Sequence, residues 1–301
     1  MDDMATTVYV MIMAIVQGIA EFLPISSSGH LLLLGKFFEL PEILTLSILL
    51  HAGTLLSVLV YFWRDIFEAC TKKPRMILLV IVGTIPTVVV AFGIMGFASF
   101  LEESVLVAGL LFIVTGVLLV KFLRNETVED DPDLYFQEIE RIQDEMDGIV
   151  VEKSCEETSF LDAIIVGIAQ GVAALPGLSR SGTTIATGVA RGFDREWAAK
   201  FSFLLSIPVI GGGAILEIIK LFKESGATSF GQLFEDVPHI KLYFLGSAVS
   251  FVVGLLALAG LMRLLKSGKL HYFAWWLFIV GPACVGYCVY EHWSQIVAFL
   301  N

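Results

Sequence analysis

Six stretches of this chain are apolar for long enough to cross a bilayer: residues 44–63, 76–97, 105–123, 197–221, 242–262 and 272–289. At a rise of 1.5 Å per residue each covers roughly 30 Å, the thickness of the hydrocarbon layer. Within that layer every backbone N–H and C=O must be satisfied internally, so such runs fold as helices. A composition of 56% hydrophobic and 16% charged residues and a mean hydropathy of +0.82 agree with an all-α integral membrane protein. Asp2 and Asp3 stand where a secretory signal would carry basic residues, and no A-x-A-like cleavage site follows, so the first apolar segment is expected to be retained.

Two further apolar segments are interrupted. Residues 8–34 break at FLPISSSGH (Phe22 to His30), and residues 160–189 break at LPGLSRSG (Leu175 to Gly182). Proline, glycine and serine clusters end helices, so each segment reads as two half-helices joined by a polar loop within the membrane. The two are alike: Gln17-Gly18-Ile19-Ala20 then Leu23-Pro24, and Gln170-Gly171-Val172-Ala173 then Leu175-Pro176, each followed by a serine-glycine turn and three spans. The chain thus divides into a first repeat over 1–124 with a re-entrant hairpin at about 8–36, a linker over 125–159, and a second repeat over 160–301 with its hairpin at about 160–191. An odd number of crossings per unit makes the repeat an inverted one.

Charge placement gives the orientation. Thirteen acids against Arg141 and Lys153 in the linker account for the whole formal charge of −11. The linker reads as a solvated connector with a helical stretch over 134–146. With the loop carrying Arg64, Lys72, Lys73 and Arg75 in the cytoplasm, twelve basic residues lie inside and four (Lys36, Lys220, Lys223 and Lys241) outside, as the positive-inside rule asks. Both termini then face outward. No basic run with interleaved aromatics exists, so nucleic acid is not an expected partner. Cys70, Cys155, Cys284 and Cys288 lack metal-site spacing and read as small apolar residues. Trp63, Trp197, Trp275, Trp276 and Trp293 read as interface anchors.

The chemistry concentrates in the two breaks. Glu21 and Arg180 are ionisable residues inside apolar segments, each costing about 2.5 to 3.5 kcal/mol on insertion scales, and such residues mark function by default. The plainer alternative is that they only pair with each other. Around them stand Ser26, Ser27, Ser28, Gly29 and His30 in one loop and Ser179, Ser181, Gly182, Thr183 and Thr184 in the other. Helix N-termini with free N–H groups and close-approach glycines suit an anion, and arginine matches two phosphate oxygens at once. Helix capping is the simpler reading of the serines. His51, at HAGTLL, reads first as a satisfied interior histidine and second as a partner behind the site.

QGIAEFLPISSSGH (Gln17 to His30) and PGLSRSGTT (Pro176 to Thr184) carry a resemblance to the undecaprenyl-diphosphate phosphatase family, the bacterial bacitracin-resistance phosphatases, extending over nearly the whole chain outside the linker. The resemblance implies hydrolysis of undecaprenyl diphosphate to the monophosphate, recycling the lipid carrier for peptidoglycan synthesis, at a site opening to the periplasmic side of the bacterial inner membrane. It also implies a divalent cation, Mg²⁺ or Ca²⁺. Its expected partners are the polyprenyl diphosphate substrate and membrane lipids, with a homodimer left open. Carried over, Glu21, Ser27, His30 and Arg180 are catalytic, and Ser26, Ser28, Ser179, Ser181 and Thr184 bind phosphate. Either Ser27 or His30 is the nucleophile. Some members have glutamate where Gln17 stands, which weakens a metal site built on Glu21 with Gln17 beside it. The rival reading is an inverted-repeat transporter of a polyprenyl phosphate or another anion. The lipid-phosphate acid phosphatases are excluded, because Thr183 to Ala186 supply no further histidine after Ser179-Arg180.

Overall fold

The apolar runs become helices with a few sharp interruptions. The computed structural model describes residues 3–38, 43–102, 104–123, 152–225, 229, 231–232 and 239–300. Its helices are α1 (Asp3–Ala20), α2 (Ser27–Phe38), α3 (Ile43–Tyr61), α4 (Trp63–Thr71), α5 (Pro74–Glu102), α6 (Val105–Leu123), α7 (Phe160–Val172), α8 (Arg180–Ala190), α9 (Arg195–Ser225), α10 (Ile240–Lys266) and α11 (Phe273–Leu300). Among the described residues five stretches are long and apolar enough to cross a membrane: Pro74–Ile94, Val105–Leu123, Arg195–Lys220, Ile240–Lys266 and Leu270–Glu291. The expected span at 44–63 is a sixth only when Thr45–Tyr61 is taken with Trp63–Thr71, which bends away by 64°. That bend follows from sequence: WRDIFEACT brings Arg64, Asp65 and Glu68 immediately after the apolar run, and these leave the hydrocarbon.

The broken segments are broken where expected, a few residues early. α1 ends at Ala20 and α2 starts at Ser27; α7 ends at Val172 and α8 starts at Arg180. Their partners are helices distant in sequence: α1 packs on α10, α7 on α5, α3 on α10 and α6 on α11. Without a hydrophobic force between helices in lipid, such seams form through small residues and interhelical hydrogen bonds. At the α3–α10 seam Ser57 Oγ donates to the Phe251 carbonyl at 2.8 Å and Ser247 Oγ to that of Leu49 at 2.6 Å. A Cβ on Gly53 would fall 2.3 Å from the Ser247 oxygen. Large apolar side chains such as Val89, Leu256 and Trp275 point outward, where lipid replaces packing.

The predicted linker helix at 134–146 lies outside the described residues. The linker's last residues are fixed: Lys153 forms a β-bridge with Phe193, Trp197 Nε1 donates to Thr158 Oγ1 at 2.8 Å, and Arg75 donates to the Thr158 carbonyl at 2.8 Å. Trp197 is therefore buried, not an interface anchor. Ser159 and Asp162 form a capping box at the start of α7, and Lys153 and Arg191 reach Asp162 at 3.0 and 2.7 Å. Burial disfavours the charge of Asp162, but the Ser159 hydrogen bonds and the two cations outweigh it and hold the acid at about 2, below its ordinary 3.8.

Candidate active site

The two breaks meet in the interior. After α1 the chain turns over residues 21–26, because Pro24 cannot supply a helical N–H. Ser26 takes φ 68°, a left-handed conformation rarely used by residues with a Cβ. Three contacts hold it there. Its Oγ accepts from Gly29 N at 3.4 Å and from Gly177 N, in the other loop, at 3.2 Å; its carbonyl accepts from His30 Nδ1 at 2.8 Å. Gly177 itself has φ 94°, and a Cβ there would lie 2.2 Å from the Ala108 oxygen, so glycine is required twice over. Ser179 caps α8 by accepting from Gly182 N at 3.2 Å, and its own N–H is bonded to Thr115 Oγ1 at 3.1 Å.

Glu21 is the hub of this junction. One carboxylate oxygen accepts from Arg180 Nη2, and the other accepts from Ser27 Oγ at 2.6 Å and from Gln17 Nε2 at 3.2 Å. His51 Nε2 stands 3.8 Å from that second oxygen. His51 Nδ1 lies 2.8 Å from the Ser47 carbonyl, which can only accept, so Nδ1 carries a proton and Nε2 is the atom turned to Glu21. Arg180 Nη1 is buried without a protein partner, the state of a guanidinium fork with one prong left for an anion.

A cavity of about 180 Å³ opens beside this cluster. The sequence-predicted residues Glu21, Ser26, Ser27, Ser28, Ser179 and Arg180 all line it, together with His51 and Gln170. Four residues named from the sequence do not: Gln17, His30, Ser181 and Thr184. Thr184 Oγ1 faces α9, 2.5 Å from Ser202 Oγ, and also donates to the Arg180 carbonyl at 2.8 Å. Ser181 Oγ lies between Ser179 Oγ at 3.3 Å and the Leu23 carbonyl at 3.4 Å. Ser181 ties the two loops together, Thr184 ties α8 to α9, and neither lines the cavity.

His30 also stands outside the cavity lining. Its Nδ1 donates to Ser26, so its Nε2 is the acceptor nitrogen, and that atom takes the Trp276 indole N–H at 3.0 Å. The ring also packs edge-on against Phe112 at 5.0 Å. With both nitrogens engaged, His30 holds the Ser26 turn and is absent from the cavity lining. Trp276 is correspondingly a hydrogen-bond donor to α2 as well as a membrane-surface aromatic. The residue that sequence reasoning undervalued is His51; a histidine inside an otherwise apolar helix was the available signal.

Among the described residues no three His, Cys, Asp or Glu side chains gather to hold a metal ion. The groups present do fit a cation that shares ligands with substrate. Glu21 offers its carboxylate at the cavity wall and leaves the remaining positions to phosphate oxygens and water, whereas Gln17 turns its amide N–H to Glu21 and does not line the cavity.

The chain is similar to known proteins over most of its length. The family model described as bacitracin resistance protein BacA matches residues 10–283. A protein named undecaprenyl-diphosphatase from Carboxydothermus hydrogenoformans is 41% identical over 274 residues, 90% of this chain and 93% of that one. One of the same name from Rhodopirellula baltica is 41% identical over 283 residues, covering 92% and 96%. Another, from Halothermothrix orenii, is 36% identical over 276 residues, covering 90% and 94%.

Proposed function

The chain belongs to the bacitracin resistance protein BacA family, and from that premise we propose that it hydrolyses undecaprenyl diphosphate to undecaprenyl phosphate and inorganic phosphate. This recycles the lipid carrier for peptidoglycan synthesis and confers bacitracin resistance. One observation carries the chemistry: a serine hydroxyl and an arginine guanidinium share the carboxylate of Glu21 at the wall of one cavity.

Ser27 Oγ attacks the terminal phosphorus, and its proton passes to Glu21 Oε2, 2.6 Å away. The bond from phosphorus to the bridging oxygen breaks, and the departing lipid phosphate takes that proton from Glu21. The freed carboxylate then deprotonates the water that attacks phosphoserine; inorganic phosphate leaves and Ser27 regains its proton. Arg180 Nη1 and the α8 N-terminus bind the transferring phosphoryl group, where charge stabilisation is the main catalytic contribution. His51, its Nε2 3.8 Å from Glu21 Oε2, confines the carboxylate from the α3 side. His30 is not the nucleophile in this scheme, since its free lone pair is spent on Trp276. A divalent cation held by Glu21 together with substrate phosphate oxygens would neutralise diphosphate charge.

The finer topology is part of the proposal. Two units of a re-entrant hairpin plus three spans, inverted relative to each other, account for matched contacts: a Cβ on Gly18 would meet Ser250 O and Val253 of α10, and one on Gly171 would meet Thr87 O and Val90 of α5. Gln17 and Gln170 each bury an unpartnered amide oxygen. The basic-residue asymmetry supports insertion in the bacterial cytoplasmic membrane with both termini periplasmic and the site open to that side.

Purified protein in detergent tests the reading. It should release inorganic phosphate from undecaprenyl diphosphate, whereas a transporter, with no compartments to connect, would release none. Arg180→Ala should lower turnover by at least about 100-fold, and near-normal turnover would remove Arg180 from the mechanism.

A further inference from the structure

A second cavity, of about 370 Å³, lies between α4, α5 and α9. Its walls include Ile66, Ala69, Ile81, Leu204 and Pro208, and the Thr84 hydroxyl in its lining is satisfied by the Val80 carbonyl at 2.7 Å. Such a surface accepts hydrocarbon and offers a headgroup nothing. Its place matters more than its size. The groove ends at Thr84 and Ile85 on α5 and at Ile207 and Pro208 on α9, while the polar cavity begins at Thr87 on α5 and Val209 on α9. The two spaces are therefore consecutive along one helix pair, within a single turn. Both helices carry a proline at the junction, Pro86 and Pro208, and proline bends a helix by removing a backbone hydrogen bond and crowding the preceding turn. At the far end, α4, turned 64° from α3, closes the groove with Ile66, Ala69 and Cys70. From Met76 to Ile85 the groove runs roughly 14 Å along α5, room for the first few isoprene units.

We propose that this groove holds the proximal isoprene units of the prenyl diphosphate whose headgroup sits at Glu21, Ser27 and Arg180; the proposal rests on the phosphatase reading above. Continuity with the headgroup cavity selects this occupant. A tail attached to a diphosphate in the polar cavity must leave it through an apolar exit, and this groove begins where the polar lining ends. Moving a prenyl chain from lipid into an apolar groove gains little hydrophobic free energy, because the surrounding tails are as apolar as the walls. The groove's contribution is then alignment: it fixes the tail so that the terminal phosphorus faces Ser27 Oγ, and misplacement by about 1 Å can cost on the order of 100-fold in rate.

Two measurements test this. Ala69→Trp fills the far end, out of reach of a geranyl chain. It should lower kcat/KM for undecaprenyl diphosphate by about ten- to 100-fold and leave geranyl diphosphate hydrolysis unchanged. In the unaltered protein, exposed Cys70 should react more slowly with N-ethylmaleimide, read by peptide mass spectrometry, when undecaprenyl methylenediphosphonate is added. The geranyl analogue and phosphatidylglycerol should have no such effect. Equal loss on both substrates together with unprotected Cys70 overturns the groove assignment and leaves the phosphatase standing. Equal protection by phosphatidylglycerol makes the groove a general acyl-chain site and also overturns it. No phosphate release from either diphosphate by the unaltered protein overturns the phosphatase reading, and the groove assignment with it.

Discussion

His30 separates a chemical role from a positioning one. Ser26 sits at φ 68°, a conformation that costs a residue with a Cβ roughly 1–2 kcal/mol, and the His30 Nδ1–H bond to its carbonyl at 2.8 Å is one of the contacts that holds it. The His30 backbone N–H still reaches that carbonyl at 3.3 Å, so losing the ring N–H costs the net worth of one hydrogen bond, about 0.5–1.5 kcal/mol. Charged to the competent loop conformation, that loss lowers kcat/KM by roughly two- to 12-fold at about 1.4 kcal/mol per tenfold. His30→Ala should therefore be impaired by a factor in that range. His30→Asn keeps an N–H donor near the Nδ1 position and should recover most of the loss, with the same pH–rate profile. The assay is phosphate release from undecaprenyl diphosphate across pH in detergent. An asparagine variant as inactive as the alanine one, with a limb missing from the profile, would refute the positioning argument and make His30 an acid or base in the reaction.

Three other expectations follow from the same geometry. Gln17→Glu sets a second carboxylate beside Glu21 and should tighten the cation dependence of turnover; an unchanged metal titration would count against Gln17 lying next to the ion. Gly177→Ala meets both a positive φ and a carbonyl 2.2 Å from its Cβ, and should destabilise the fold by about 3 kcal/mol or more, seen as a lowered thermal midpoint; a midpoint within 1 °C or so of the original would contradict the α6 contact. Asp162 is held at about 2 against an ordinary 3.8, so it contributes about 2 kcal/mol of stability. Being a depressed acid, it supplies that stability above pH 4 or so and loses it as pH falls towards about 2. The unfolding midpoint should exceed that of Asp162→Asn at neutral pH, with the gap closing over that window, and a pH-independent gap would mean the carboxylate charge is irrelevant.

Much of the site was legible in local sequence because its constraints are local. Pro24 and the Ser26 to Gly29 run end one helix and start another; Ser179 to Gly182 caps α8 with its own atoms. Glu21 and Arg180 were conspicuous as charges in apolar surroundings. Their direct pairing belongs to the plainer alternative as well, and what lifts it above that is the Ser27 hydroxyl on the same carboxylate and the cavity beside it.

The chain's apolar runs, its doubled QG and LP motifs and its two serine-rich breaks determined by themselves that it is a helical membrane protein with a polar centre built from two distant loops, since these follow from the cost of exposing backbone and charge to hydrocarbon. Only the tertiary structure decided which way the side chains around that centre turn. His51 comes to Glu21 from thirty positions along the chain, and Trp276 reaches His30 across 246. Helix rotation is fixed by such contacts with remote helices, through small-residue seams and single hydrogen bonds, and no local pattern around His30, Ser181 or Thr184 records it.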